Sequence, residues 1–292
     1  MKILGLAAIA VALGSSLALA QGSDRPLAIV AAENFYGDVA QQLGGDNVTV
    51  TSILTNPDQD PHMFEASAST ARALADATLV IYNGIDYDPW VTKLLAANQA
   101  PGRKVIVVAA LMHRNTGDNP HLWYDPATMP TYAKALSAEL ETADPAHRAD
   151  YEQRLASFLS SLQPMTAKIA SIRQNYAQTI VTATEPVFGY MAEALGFTMR
   201  NRKFQIAVMN DTEPSAADVG AFEKDLKTRT VKILFYNSQT TDDLTTRLQK
   251  LAQDSKVPIV GVTETEPPNT KYQDWMMQQL DAIEQALAKG SS

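Results

Sequence analysis

The sequence predicts an α/β protein: two α/β lobes, each a mostly parallel sheet with flanking helices, joined by one long backbone helix. Three observations lead there. Short β-branched runs alternate with amphipathic helical segments in both halves of the chain, the pattern of parallel sheets covered by helices. Between the halves, His147 to Tyr176 contains no glycine, and Leu155, Phe158, Leu159, Leu162, Met165, Ile169, Ile172 and Tyr176 recur at helical spacing. The 292 residues are 46% hydrophobic and contain no cysteine, so two sizeable cores must be held by burial rather than by disulfides.

The elements follow in order. Met1-Lys2 precedes an apolar stretch from Ile3 to Ala20 that ends in Ala18-Leu19-Ala20, the small-x-small pattern of a signal-peptidase site. A signal peptide over 1–20 is expected, with export to the periplasm and a mature chain starting near Gln21. Without cysteine, no lipid can attach at that site, and no later stretch has the roughly 20 apolar residues that span a bilayer. An N-terminal lobe is expected over 21–146. It opens with a strand at Leu27–Ala32 and a helix capped by Asn34 that stops at Gly44-Gly45. A strand at Val48–Leu54, a helix at Ser67–Ala75, a strand at Leu79–Tyr82, a helix at Pro89–Ala97 and a strand at Lys104–Val108 follow. Residues 147–176 read as the linking helix, a stiff connector kinked at Pro164. The C-terminal lobe, 177–292, takes strands at Ile180–Thr184, Val231–Tyr236 and Val257–Val262. Its helices are expected at Val187–Leu195, Ser215–Leu226, Asp242–Gln253 and Tyr272–Ala288, with Ser215 or Asp211 as an N-cap.

Charge and motif content narrow the function. The formal net charge is −8 and no basic run occurs, which argues against nucleic-acid binding. No glycine-rich phosphate loop is present. Of only four histidines, two share one setting, Asp60-Pro61-His62-Met63-Phe64 and Asn119-Pro120-His121-Leu122-Trp123. Neutral imidazole is the commonest side-chain ligand for transition metals.

Open α/β sheets bind ligands beyond the carboxyl ends of their strands. His62 follows strand 48–54, His121 follows 104–108, Glu185 follows 180–184 and Glu264 follows 257–262. If the halves face each other, two imidazoles and two carboxylates meet in the cleft and hold one divalent cation without net charge. In the last loop, Thr263-Glu264-Thr265-Glu266 leaves Glu266 as an alternative to Glu264.

These residues resemble the TroA-like (cluster A-I) family, periplasmic solute-binding proteins that deliver zinc or manganese to ABC importers. The resemblance rests on Asp60-Pro61-His62, on Asn119-Pro120-His121-x-Trp123-x-Asp125-Pro126 and on Thr184-Glu185-Pro186-Val187-Phe188-Gly189-Tyr190. The long central helix, the Gly261-Val262-Thr263-Glu264 strand end and the export signal support it, and it covers essentially the whole mature chain. It implies His62, His121 and Glu185 as metal ligands, with the fourth at Glu264 or Glu266. It also implies one transported Mn2+ or Zn2+ ion, a permease partner in the inner membrane, a monomer and no catalysis. Zinc-type members usually have histidine at the third position and a histidine-rich loop before the second. Here the third residue is Glu185, and Leu111–Asn119 offers only His113. Oxygen ligands favour manganese, although intrinsic affinity favours zinc.

Two rival classes are a secreted metallohydrolase and a metal-stabilised adhesin of the same fold. A hydrolase needs an open metal position and a general base, yet no His-Glu-x-x-His helix or glycine-flanked serine elbow occurs. Asp60, Glu65 and Asp125 lie beside the histidines, where a carboxylate orients an imidazole or simply ends a loop. Trp123 and Tyr190 are candidates for walling the site, and His147 reads as a solvated first-turn residue.

Overall fold

The computed structural model describes residues 25–58, 61–240 and 242–290. The expected signal peptide, 1–20, and Asp60 lie outside the described residues. The first half builds strands β1 (Leu27–Glu33), β2 (Val48–Leu54), β3 (Leu79–Tyr82) and β4 (Lys104–Val107) in the order β2-β1-β3-β4. Its helices are α1 (Asn34–Gly44), α2 (Ala68–Asp76), α3 (Pro89–Ala97), α4 (Val108–Leu111) and α5 (Thr128–Ala143). Helices α6 (Arg148–Ser161) and α7 (Gln163–Tyr176) lead into the second half. There β5 (Ile180–Ala183), β6 (Thr198–Met199), β7 (Leu234–Asn237) and β8 (Ile259–Val262) run β6-β5-β7-β8. Helices α8 (Gly189–Ala194), α9 (Arg202–Met209), α10 (Ala216–Lys227), α11 (Asp243–Asp254) and α12 (Tyr272–Gly290) accompany them. All strand pairs among the described residues are parallel, so every strand aims its carboxyl end at the same edge of its sheet.

Local signals fix several boundaries. Ser67 accepts from the Thr70 backbone N–H at 3.1 Å while the Ser67 N–H donates to Thr70 Oγ1, a reciprocal cap on α2. Asp242 and Thr245 repeat that device on α11, and Ser215 caps α10. Helix α1 differs from expectation: Glu33 occupies its N-cap position with no side-chain cap bond, and Asn34 is already helical. The Asn34 side chain instead serves the opposite lobe, as described below.

The linking segment is helical over nearly its whole length and broken beside its proline. It is two helices interrupted at Leu162, because Pro164 lies in the first turn of α7. There its missing N–H costs no helical bond, so the proline sits in the opening turn of the second helix. Helix α6 packs on α1 and α5, and α7 packs on α12. Helices α5 and α9 and the short strand β6 were not expected. For α5 the signal was legible, since Met129, Tyr132, Ala133, Leu136 and Leu140 share one helical face and all are buried.

Continuity between the halves comes from one core. Aromatic rings run from Phe235 to Phe188 (centroids 4.7 Å apart), Tyr124 (5.1 Å), Trp275 (5.7 Å), Phe35 (6.0 Å) and Trp123 (4.6 Å). Residues from both sheets belong to this same buried cluster. Rigidity between the lobes therefore resides in packed aromatic surface, not in an unbroken rod.

Candidate metal centre

Each expected ligand sits where a strand or its connection opens into the groove between the sheets. His62 lies in a single 3-10 turn, Pro61–Met63, beyond β2. His121 heads the turn Leu122–Tyr124 in the connection after β4 and α4. Glu185 stands in extended backbone between β5 and the turn Pro186–Phe188, and Glu264 lies just past β8.

Three of them converge. His62, His121 and Glu264 each offer a ligand atom, and these atoms lie within 4.8 Å of one another. Nε2 of His121 is 3.3 Å and Nε2 of His62 is 3.4 Å from Oε2 of Glu264. His121 and Glu264 are fully buried, whereas the His62 side chain is 19% exposed. His62 lines a cleft of about 460 Å³ between the lobes, together with Asp86, Asp118, Tyr190, Glu193 and Arg202.

Electrostatics agree with this placement. Burial works against the Glu264 charge, but hydrogen bonds and attraction from His121 and His62 outweigh it and hold the carboxyl well below its usual range. Burial also pulls the His121 imidazole below its ordinary value. The His121 Nδ1 lies 2.7 Å from Oδ1 of Asn119, which places a proton on Nδ1. Nε2, which bonds Oε2 of Glu264 at 3.3 Å here, would offer its lone pair to a cation that displaced its proton. An imidazole nitrogen and a carboxylate oxygen aimed at one point have the chemistry to hold a cation.

The remaining candidates separate. Glu185 is buried, and its Oε1 accepts from the Asn237 amide at 3.2 Å; the same amide reaches Oε1 of Glu264 at 2.6 Å. Glu185 thus borders the cluster but is not one of the three converging residues. Glu266 faces elsewhere. Its backbone N–H donates to Oδ1 of Asn34 at 3.0 Å and its carbonyl accepts from Asn34 Nδ2 at 2.7 Å. Burial, then the nearby Asp38 and Asp274, push its carboxyl up to about 9. His113 is exposed, and His147 pairs with Asp144 at 2.6 Å on the surface. Asp125 accepts from the Ala127 N–H and pairs with Arg114 at 3.6 Å, and Glu65 is exposed, so neither orients a ligand. Trp123 does wall the site, with its ring 5.2 Å from that of His121. Tyr190 donates to the Asn119 carbonyl at 2.9 Å.

Sequence comparison decides the family. A family profile described as ZnuA, zinc-uptake complex component A, periplasmic, matches residues 29–286. The chain belongs to the ZnuA family. That is a family of substrate-binding transport proteins rather than of enzymes. A manganese ABC transporter substrate-binding lipoprotein, PsaA of Streptococcus anginosus, is 23% identical over 91% of this chain and 91% of its own. The iron ABC transporter substrate-binding lipoprotein MtsA of Streptococcus pyogenes serotype M1 is 24% identical over 90% of this chain and 89% of its own. Among solved structures, the periplasmic zinc-binding protein TroA from Treponema pallidum superimposes with a TM-score of 0.76 at 20% identity. That alignment covers 90% of this chain and 99% of TroA, and it shows the shared two-lobe α/β fold.

Tyr87 had no sequence signal as part of this ZnuA-family site, and Asn119 appeared only as a neighbour of His121 in its motif. Tyr87 donates to Oε2 of Glu264 at 3.0 Å and stacks edge-on to His62. It is delivered by a turn in which Gly84, Ile85 and Asp86 all have positive φ (85°, 48° and 62°). A Cβ on Gly84 would lie 2.9 Å from Val107 Cγ1, so glycine is required there. Asn119 does double work: Oδ1 receives the His121 ring and backbone N–H, and Nδ2 donates to the Pro186 carbonyl at 2.8 Å. Asn119→Ala is expected to weaken metal binding about 10–100-fold with all ligands in place, measured by competition titration.

Beneath the site, Asp88 accepts from the Asn83 and Gly84 N–H groups at 2.6 and 2.9 Å, and the Asn83 amide donates to the Pro120 carbonyl at 2.8 Å. Glu33, fully buried, meets Asp88; burial, then the Asp88 charge, raise its carboxyl well above 4.5. Folded protein keeps a proton on Glu33 that the unfolded chain releases above about 4.5. This contribution to stability is complete below that pH and is lost as pH rises through the folded value. Glu33→Gln, which is permanently neutral, is expected to gain stability over wild type at pH 8. The gain should vanish near pH 4, as read by denaturant titration.

Proposed function

We propose that this protein captures one divalent transition-metal cation, manganese or zinc, between its lobes and delivers it to an ABC-type importer permease in the inner membrane. His62, His121, Glu185 and Glu264 are the ligands, and the lobes are residues 21–146 and 177–292 joined by 147–176. The observation that carries this reading is the convergence of His62 and His121 from one lobe on Glu264 from the other. Asn237, which already contacts Glu185, keeps that fourth ligand beside the ion.

Two imidazoles and two carboxylates neutralise a divalent charge and leave little room for an activated water, as transport and structural sites prefer over catalytic ones. The protein is accordingly a binding component without catalytic activity, acting as a periplasmic monomer. The set suits both metals. Carboxylate oxygens accommodate manganese, while zinc ranks higher in intrinsic affinity. His62, the exposed member at the cleft, is the side from which the ion enters. The names of the manganese- and iron-transport relatives and of zinc-binding TroA support a divalent cargo.

Deletion of the protein is expected to lower cellular uptake of radioactive manganese or zinc, with restoration by the wild-type chain. Unchanged uptake with lost surface attachment would favour an adhesin.

A further inference from the structure

We infer that Asn237 determines metal specificity: its amide occupies Oε1 of both Glu264 and Glu185, limits each carboxylate to one metal-binding oxygen, and favours a small four-coordinate cation over larger, higher-coordinate ones. The inference rests on the proposed ligand set and adds to it the number of donors that set presents.

The position follows from the topology. Asn237 ends β7, which lies between β5 and β8, the two strands whose connections carry Glu185 and Glu264. It is in register with Val262, two residues before Glu264. Its orientation is fixed from the other side, because Oδ1 accepts from the Gln239 N–H at 3.0 Å and its own N–H donates to Thr184 Oγ1 at 3.2 Å. Nδ2 therefore points at the carboxylates, with Glu264 Oε1 at 2.6 Å, Glu185 Oε1 at 3.2 Å and Thr240 Oγ1 at 3.1 Å. An amide nitrogen has two hydrogens for these three acceptors, and the charged oxygens are the stronger ones.

The consequence is an oxygen count. Glu264 turns Oε2 toward both histidines while Oε1 is held away by Asn237. Each carboxylate oxygen has two lone pairs and can hold one hydrogen bond beside a metal bond, as Oε2 does with Tyr87. Bidentate binding would in addition need Oε1 to turn toward the histidines and pull out of its 2.6 Å bond to the buried Asn237 amide, an unfavourable exchange at a residue 1% exposed. Two imidazoles and one oxygen from each carboxylate give four donors. That matches the tetrahedral preference of zinc, whereas manganese takes octahedral oxygen-rich sites. Asn237 thus offsets the manganese bias of an oxygen ligand at position 185.

The test is competition titration of the full mature protein with zinc chloride and manganese chloride, wild type against Asn237→Ala. The zinc-over-manganese preference is expected to fall about tenfold or more, with zinc weakened and manganese held or strengthened. Equal weakening of both metals would mean that Asn237 is only a structural tie and would overturn the inference. X-ray absorption of zinc-loaded wild type decides independently, even if the variant does not fold. Four nitrogen and oxygen donors are expected, and a fifth from a bidentate carboxylate would contradict the account. Wild type that binds neither metal would instead overturn the proposed function, a result distinct from bound metal with unchanged preference.

Discussion

Glu264→Gln is expected to lower metal affinity by more than about 100-fold, the upper end of what loss of an outer-shell partner costs, while Glu266→Gln leaves affinity nearly unchanged. The two acids are two residues apart, yet their surroundings are opposite. Glu264 is fully buried with its charge stabilised by His121 and His62. Glu266 has its backbone held by Asn34 and its carboxyl kept near Asp38 and Asp274, protonated up to about pH 9. Glutamine preserves shape in both cases, so the contrast isolates the anionic ligand. Calorimetric titration of both variants, with thermal unfolding to show that each is folded, reads the result. Equal losses would assign no special role to Glu264.

Trp275→Ala is expected to cost about 3–5 kcal/mol of stability, the usual range for truncating a large buried aromatic, and to destabilise both lobes together. Trp275 is 1% exposed on α12. Its ring meets Phe35 from the first half at 6.0 Å and Tyr124, also from the first half, at 5.7 Å. Because Phe188 and Phe235 of the second half continue the same chain of rings, the lobes share one cooperative core. Denaturant unfolding should remain a single transition displaced to lower concentration. Two separated transitions, with only one moved, would show that the lobes fold independently and that the shared core does not couple them.

How far the sequence reached differs from element to element. Strand–helix alternation located both sheets because period and β-branching act locally. The four loop placements followed because parallel strands send every carboxyl end to one edge. Pro164 marked the break in the helical pattern, and the interruption falls at Leu162, which keeps αR backbone; whether such a proline bends a helix or opens a new one is decided by tertiary packing. The short β6 and helix α9 carried weak local signals, since two residues of strand acquire meaning only beside β5.

At the site, the paired Pro-His settings exposed His62 and His121 from chain spacing alone, but the residues that orient them were out of reach. Tyr87 reaches Glu264 across 177 residues, Asn34 reaches Glu266 across 232, and Asn237 reaches Glu264 and Glu185 across 27 and 52, and a polar residue in a loop looks the same whether it bonds a ligand or water. The choice between Glu264 and Glu266 likewise depended on which way a four-residue loop turns. Asn34 and Gln239 settle that orientation by binding the Glu266 backbone and the Thr265 N–H respectively.

The central claim is that two histidines from one lobe and carboxylates from the other hold one transported cation. Elemental analysis of the purified protein after exposure to manganese and zinc, on wild type and His121→Ala, tests it most directly. The account predicts one equivalent of metal on wild type and its loss in the variant, both proteins being folded. Negligible metal on wild type, or one equivalent kept by the variant, would contradict it.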